Sequence, residues 1–157
     1  MSKQLPSPSW GESGRGWEIP LLLLISLAGV LIAVYLTVTH LSKVPLVCTI
    51  GGPVNCVSVT HSPYSVIPGT SVPISILGVL WFIVSGALAM IGLRGWHLAW
   101  AGVGLLVVLY FVFIEIVVLH QICEWCTAVH VLVLATFVIA LRRFQSTLTA
   151  VDPPIAS

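Results

Sequence analysis

From Ile19 to about His40 nearly every position is apolar, with LLLLISLAGVLIAVYL at the centre. About 20 such residues suffice for an α-helix to cross a bilayer. This core is longer than the roughly 7–15 residues of a secretory signal, and no A-x-A site follows it, so it reads as a retained helix. Residues 41–72 break the pattern with Pro45, Pro53, Pro63 and Pro68 and with Gly51, Gly52 and Gly69. Breakers at that density mark a loop, and a connection of about 30 residues tends to be functional. Within it Asn55 is suited to cap a short helix through Val59. Apolar runs resume over 73–93, 97–119 and 123–141, with Pro73 acceptable at a helix start. Arg94, Gly95 and Trp96 are expected to form the turn between the second and third runs, and Gln121 with Ile122 the link between the third and fourth. Gly78, Gly86 and Gly92, and Gly102 with Gly104, supply small residues suited to close helix packing.

The reading is an all-α chain, a polytopic four-helix bundle in the membrane with one long extracytoplasmic loop between helices 1 and 2. Residues 1–17 form a disordered tail, 18–143 the membrane domain and 144–157 a second tail. Four spans place both tails and the Arg94 turn on one side. That side collects Lys3, Arg15, Arg94, Arg142 and Arg143, against Lys43 alone on the other. Cations favour the cytoplasm, so the tails are assigned there and the long loop and the 120–123 link to the outer face.

Composition narrows the function. Of 157 residues, 58% are hydrophobic and 7% charged, and the mean hydropathy is +1.10. A soluble domain carries about 25% charged residues, so a soluble fold and a disordered chain are both excluded. A net charge of +1 offers no basic patch to phosphates, and no nucleic-acid partner is expected.

The chemistry lies in four cysteines. Cys48 and Cys56 fall in the long loop, and Cys123 and Cys126 form a C-x-x-C at the start of the fourth span. All are on the outward side, where disulfides persist. Residues i and i+3 share a helix face, and a helix N-terminus favours thiolate. Glu124, between them, opposes that by like charge. Zinc ligation is disfavoured because seven residues separate the first pair where a knuckle wants two to four. A c-type haem is excluded because Thr127 stands where His is needed. Two inert structural disulfides remain an alternative, which would make the chain a membrane scaffold. The stronger reading is a relay. The loop pair takes electrons from outside and the helix pair passes them to a lipid-soluble two-electron acceptor, a quinone. Such exchange runs through mixed disulfides, so one loop cysteine must reach one helix cysteine.

Four features in order on four spans carry a resemblance. They are Cys48-x7-Cys56, then Ser62-Pro63-Tyr64, then GTSVPISILGVLWF from Gly69 to Phe82, then CEWCTAVH from Cys123 to His130. Over roughly residues 19–143 the chain resembles the vitamin K epoxide reductase family, specifically its bacterial disulfide-forming members. The resemblance implies that Cys126 lies beside the quinone, that Cys123 exchanges with the loop, that Cys56 reaches Cys123, and that Cys48 meets the protein substrate. Ser62 falls in the segment the family packs over the site. His130, one turn beyond Cys126, stands where vitamin-K-recycling members use a Tyr to hold a quinone oxygen. A His bonded to a neighbouring helix is the plainer account. Ile74 replaces the Asn with which the animal enzymes bond the quinone, which disfavours epoxide reduction. Glu124 replaces a spacer that is Pro in many relatives. Many relatives also carry a fused thioredoxin-like domain, so a separate extracytoplasmic thioredoxin-like partner is expected here.

Glu115 is an acid inside a span, and such residues are functional by default. It is expected to relay protons to a quinone or to pair with His120, or else to reach the interface. Trp81, Trp96, Trp100 and Trp125 fit an aromatic belt, with Trp125 also a candidate quinone wall. Tyr64, Phe111 and Phe113 are expected to pack, and His40 and His97 to be interfacial. The sequence thus predicts a membrane thiol–quinone oxidoreductase with menaquinone or ubiquinone as acceptor. A vitamin K epoxide or quinone reductase is the alternative within enzymes.

Overall fold

The computed structural model describes residues 16–44, 46–49 and 51–151. Among these the fold is all-helical, with isolated bridges and no strands. Helix α1 spans Glu18–Ser42, α2 Cys56–Thr60, α3 Ser75–Ile91, α4 Arg94–Phe113 and α5 Glu124–Val151. A short 3-10 turn covers Pro63–Ser65, and a π-turn over Ile114–Val118 prolongs α4. Three segments are long and apolar enough to cross a membrane: Glu18–Ser42, Arg94–Val118 and Glu124–Thr149. The apolar α3 is shorter, at 17 residues. Large apolar side chains such as Leu24, Leu31, Leu106 and Val131 cover the outer helix faces, which suits lipid and would be a liability in water.

Helix α1 packs on α3 and α5, and α4 packs on α3 and α5. Close approach rests on glycine. A Cβ on Gly29 would collide with the Phe82 ring, and one on Gly104 with the Trp81 indole. Gly86 faces Ser26 across the same α1–α3 seam. A Cβ on Gly102 would meet nothing. In lipid no hydrophobic force drives helices together, so packing of this kind and buried hydrogen bonds must. Ser85 Oγ and His97 Nε2 share one of 3.1 Å between α3 and α4. Thr37 and Ser75 share one of 2.8 Å between α1 and α3.

The structure corrects several sequence expectations. Arg94, Gly95 and Trp96 lie in the first turn of α4, and the chain reverses at Gly92, whose φ of +81° is the left-handed conformation glycine supplies. Helix α5 continues past Arg143 to Val151 where a tail was expected. No Gly or Pro interrupts it there, and Ser146 and Thr147 hydroxyls bond back to the Arg143 carbonyl. The rest of both expected tails lies outside the described residues, apart from Gly16 and Trp17. His97 is 1% exposed rather than interfacial. Trp81 and Trp100 stack against each other with centroids 6.5 Å apart, each indole N–H donating to the other's backbone carbonyl. They are an internal pair rather than part of a belt, whereas Trp96 is 72% exposed. Arg143, counted in the charge bias between the two sides, is buried and ion-paired to Glu18 at 3.7 Å. Arg94 donates to Thr147 Oγ1 at 2.8 Å, so the start of α1, the α3–α4 turn and the far half of α5 meet at one end. The cysteines occupy the other.

Candidate functional site

Asn55 caps α2 by accepting from the Ser58 N–H at 3.1 Å, which sets Cys56 in the first turn of that helix. The loop is not free. Asn55 donates to the Ile122 carbonyl at 3.0 Å and Ile122 donates to the Pro53 carbonyl at 2.8 Å, so residues 53–55 pair in parallel with Ile122. That pairing sets Cys56 beside Cys123. Both are buried in one cluster with Leu36, Leu46 and Val59, and Cys48 and Cys126 pack against it. Cys48 and Cys56 form a disulfide with Cα atoms 6.3 Å apart, while Cys123 and Cys126 are free thiols.

Cys123 immediately precedes α5, where N–H groups lack carbonyl partners. The Cys126 N–H donates to Cys123 Sγ at 3.4 Å. The Cys126 thiol, hydrogen-bonded to it, holds the Cys123 thiol below its ordinary range. Backbone N–H groups of Cys126 and Trp125 add to this, while burial and the charge of Glu115 oppose it. The expected repulsion from Glu124 is not what opposes the thiolate, because its carboxylate turns away to the Thr49 N–H at 3.5 Å.

Beside Cys126 a cavity of about 460 Å³ opens between the helices. Its walls are mostly apolar, from Ala33, Trp81, Phe82, Val107 and Phe111. A few polar groups converge on it: Cys126, Glu115 and His130 from α4 and α5, with Ser62, Ser65 and Thr60 from the loop. An apolar pocket with few placed polar groups is the usual form of a small-molecule site. Glu115 is only 5% exposed and sits beside Cys123 and Cys126. The π-turn that carries it widens the end of α4, and such turns concentrate at functional positions. The ring of His130 lines the cavity and has no hydrogen-bond partner among the described residues, so its N–H is open to an occupant.

A family model described as vitamin K epoxide reductase family matches residues 20–141. The chain belongs to that family. No curated protein matches the chain. Vitamin K epoxide reductase family members are membrane oxidoreductases that work through redox-active cysteines and couple in general to quinones. The four cysteines, Ser62, Glu115 and His130 are thus brought to one end of the helices, the last three with Cys126 around one cavity. Trp125 is not among its walls. Its ring packs on Tyr35 with centroids 5.0 Å apart, and its Nε1–H donates to the Val47 carbonyl at 2.9 Å. Glu115 turns to the cysteines rather than to the interface, and the ion pair found among the described residues is Glu18–Arg143, not Glu115–His120. Tyr64 and Phe111 line the cavity, whereas Phe113 is exposed.

Sequence reasoning missed His40, Ser75, Trp81 and Thr60 as cavity walls. His40 donates from Nδ1 to the Thr60 carbonyl at 2.8 Å and stacks on His61 with centroids 5.3 Å apart. The signal was present only as a His at the end of the first apolar run, which reads equally well as an interface residue. Ile74, in the place of the missing Asn, does line the cavity and offers no side-chain hydrogen bond.

Proposed function

We propose that the chain is a membrane thiol–quinone oxidoreductase supporting disulfide formation outside the cytoplasm, built as a four-span bundle with the loop as its outer cover. The observation that carries this reading is the meeting of both cysteine pairs in one buried cluster while Cys126 alone of the four opens into the apolar cavity. A quinone fits those walls, having a flat apolar body and carbonyl oxygens that need donors. When bound it accepts two electrons and two protons. His130 would donate one hydrogen bond, and Ser62 and Ser75 hydroxyls stand on the loop and α3 sides.

Electrons enter from a reduced thioredoxin-like protein at Cys48. The reduced loop then transfers them inward: Cys56 thiolate attacks the Cys123–Cys126 disulfide at Cys123, and Cys126 leaves as thiolate. Cys48 resolves the Cys56–Cys123 bond. This regenerates the loop disulfide and leaves both helix thiols reduced, the distribution of thiols and disulfide described above. Glu115 protonates the departing Cys126 thiolate and takes that proton back toward the cavity when Cys126 is next oxidised, so no charge is stranded in the dry site. Apolar walls and the loop cover exclude water. Two thiols are oxidised and one quinone reduced per cycle. The cationic residues at the opposite end support cytoplasmic termini.

The test is anaerobic quinone reduction by the purified protein in detergent, with a reduced thioredoxin-like protein as donor. Turnover is expected in the parent chain and none in Cys126→Ala. Folded protein that gives no turnover with menaquinone or ubiquinone analogues would overturn the reading and leave the cysteines as staples.

A further inference from the structure

The two residues between Cys123 and Cys126 reach back to the segment that carries Cys48. Trp125 Nε1–H donates to the Val47 carbonyl at 2.9 Å. The Val47 N–H donates to Tyr35 Oη at 3.3 Å, and the Tyr35 ring packs on Trp125. The Thr49 N–H donates to Glu124 Oε2 at 3.5 Å. Cys48 is therefore flanked on both sides by backbone groups held by side chains of α1 and α5. Leu46 anchors the segment in the buried cluster, but the Val47 side chain is 79% exposed and Thr49 is exposed too, so polar contacts orient the chain on either side of Cys48.

We infer that Tyr35, Glu124 and Trp125 are positioning residues that present Cys48 to a Cys56–Cys123 mixed disulfide. The inference rests on the relay proposed above. In the step concerned, Cys48 thiolate attacks Cys56 Sγ. The Cys48–Cys56 bond forms, the Cys56–Cys123 bond breaks, and the electron pair leaves on Cys123, which takes up a proton as the thiol. Cys48 is oxidised and Cys123 reduced, with no outside reagent. In-line attack at sulfur requires the incoming thiolate to be placed, and thiol exchange slows when access is lost. The clamp sits on the C-x-x-C spacers, so the helix that carries the leaving sulfur also places the attacking one.

The experiment is a single turnover without quinone. Full-length protein oxidised at both pairs is mixed anaerobically with an equivalent of reduced thioredoxin-like protein, quenched in acid at intervals, alkylated and read by mass spectrometry. In Cys48→Ser oxidised at the helix pair, the Cys56 thiol exchanges with that disulfide without added reductant, and the Cys56–Cys123 species should form and persist when quenched and alkylated in the same way. Trp125→Phe keeps the ring on Tyr35 but loses the N–H, and Tyr35→Phe loses the acceptor. Each should form the mixed disulfide at the parent rate and lose it roughly fivefold more slowly, the effect of one hydrogen bond. Glu124→Gln keeps an acceptor for Thr49 and should match the parent, while Glu124→Ala should show the slowing. Normal formation reports a folded site, so slow decay alone marks mispositioned Cys48. Decay at the parent rate in Trp125→Phe and Tyr35→Phe, with persistence in Cys48→Ser, would overturn the clamp and leave the relay standing. Absence of the Cys56–Cys123 species from every variant would instead overturn the relay.

Discussion

Gly102 and Gly104 lie two residues apart on α4, yet the same substitution should have opposite effects at the two. A Cβ on Gly102 meets nothing, so Gly102→Ala gains only the helix preference of Ala, about 0.5–1 kcal/mol. A Cβ on Gly104 runs into the Trp81 indole. Trp81 cannot yield cheaply. It stacks on Trp100, and the pair exchange indole-to-carbonyl hydrogen bonds of 3.4 and 3.2 Å. Overpacking costs about 1–3 kcal/mol, and weakening the two bonds adds about 1 kcal/mol each. Set against the same gain in helix preference, Gly104→Ala should destabilise by about 2–4.5 kcal/mol. At about 2–4 °C per kcal/mol for a chain of this size, thermal unfolding in one detergent resolves the difference. Trp81 also lines the cavity, so Gly104→Ala should raise the KM for quinone while Gly102→Ala leaves it unchanged. Equal melting temperatures for the two variants would refute the packing argument, since both glycines lie in the interior of the same helix.

Three further outcomes follow from the site. Glu115→Gln keeps the shape and removes the proton carrier, so kcat for quinone reduction should fall about 10²–10⁴-fold with KM little changed; a KM effect alone would make it a binding residue. His130→Phe removes the open N–H and should raise the quinone KM roughly fivefold to tenfold, the worth of one hydrogen bond, as steady-state kinetics over a quinone series would show. In Cys126→Ala the chief cause of the depressed Cys123 pKa is gone, so the ultraviolet thiolate signal of Cys123 should appear at higher pH than in the parent chain reduced at the helix pair; a midpoint that stays put or falls would contradict the hydrogen-bond assignment.

The sequence shows where the helices are far better than which of their faces meet. Helices form over the four apolar runs, and Asn55 caps a helix from Cys56. The pairing of Trp81 with Trp100 and the burial of His97 were not legible. In a water-soluble helix the polar face marks the outside, but here lipid-facing Leu31 and interior Leu22 are equally apolar, so periodicity carries no contrast. The end of α5 was misplaced because Arg142 and Arg143 look like a membrane boundary, yet polar residues without Gly or Pro continue a helix readily. The anchoring of residues 53–55 on Ile122 was equally out of reach. It joins positions about 70 apart in the chain, far beyond any local signal.

That anchor bears on which part of the site moves. Cys56 cannot pair with Cys48 and Cys123 at once, so something must shift during exchange. The Cys56 side is fixed by backbone: Asn55 to Ile122 at 3.0 Å, Ile122 to Pro53 at 2.8 Å, and the capped helix behind them. Releasing it would break both backbone bonds, at about 0.5–1.5 kcal/mol each, and would pull Cys56 and Val59 out of their buried cluster. The Cys48 side is held by side chains of Tyr35, Glu124 and Trp125, and Val47 and Thr49 beside it are exposed, so their freed backbone groups can turn to water. The cheaper motion is therefore withdrawal of Cys48 toward its substrate while Cys56 stays beside Cys123. In the proposed relay this assigns the outward reach to one cysteine and the inward transfer to a neighbour that needs little more than a side-chain rotation.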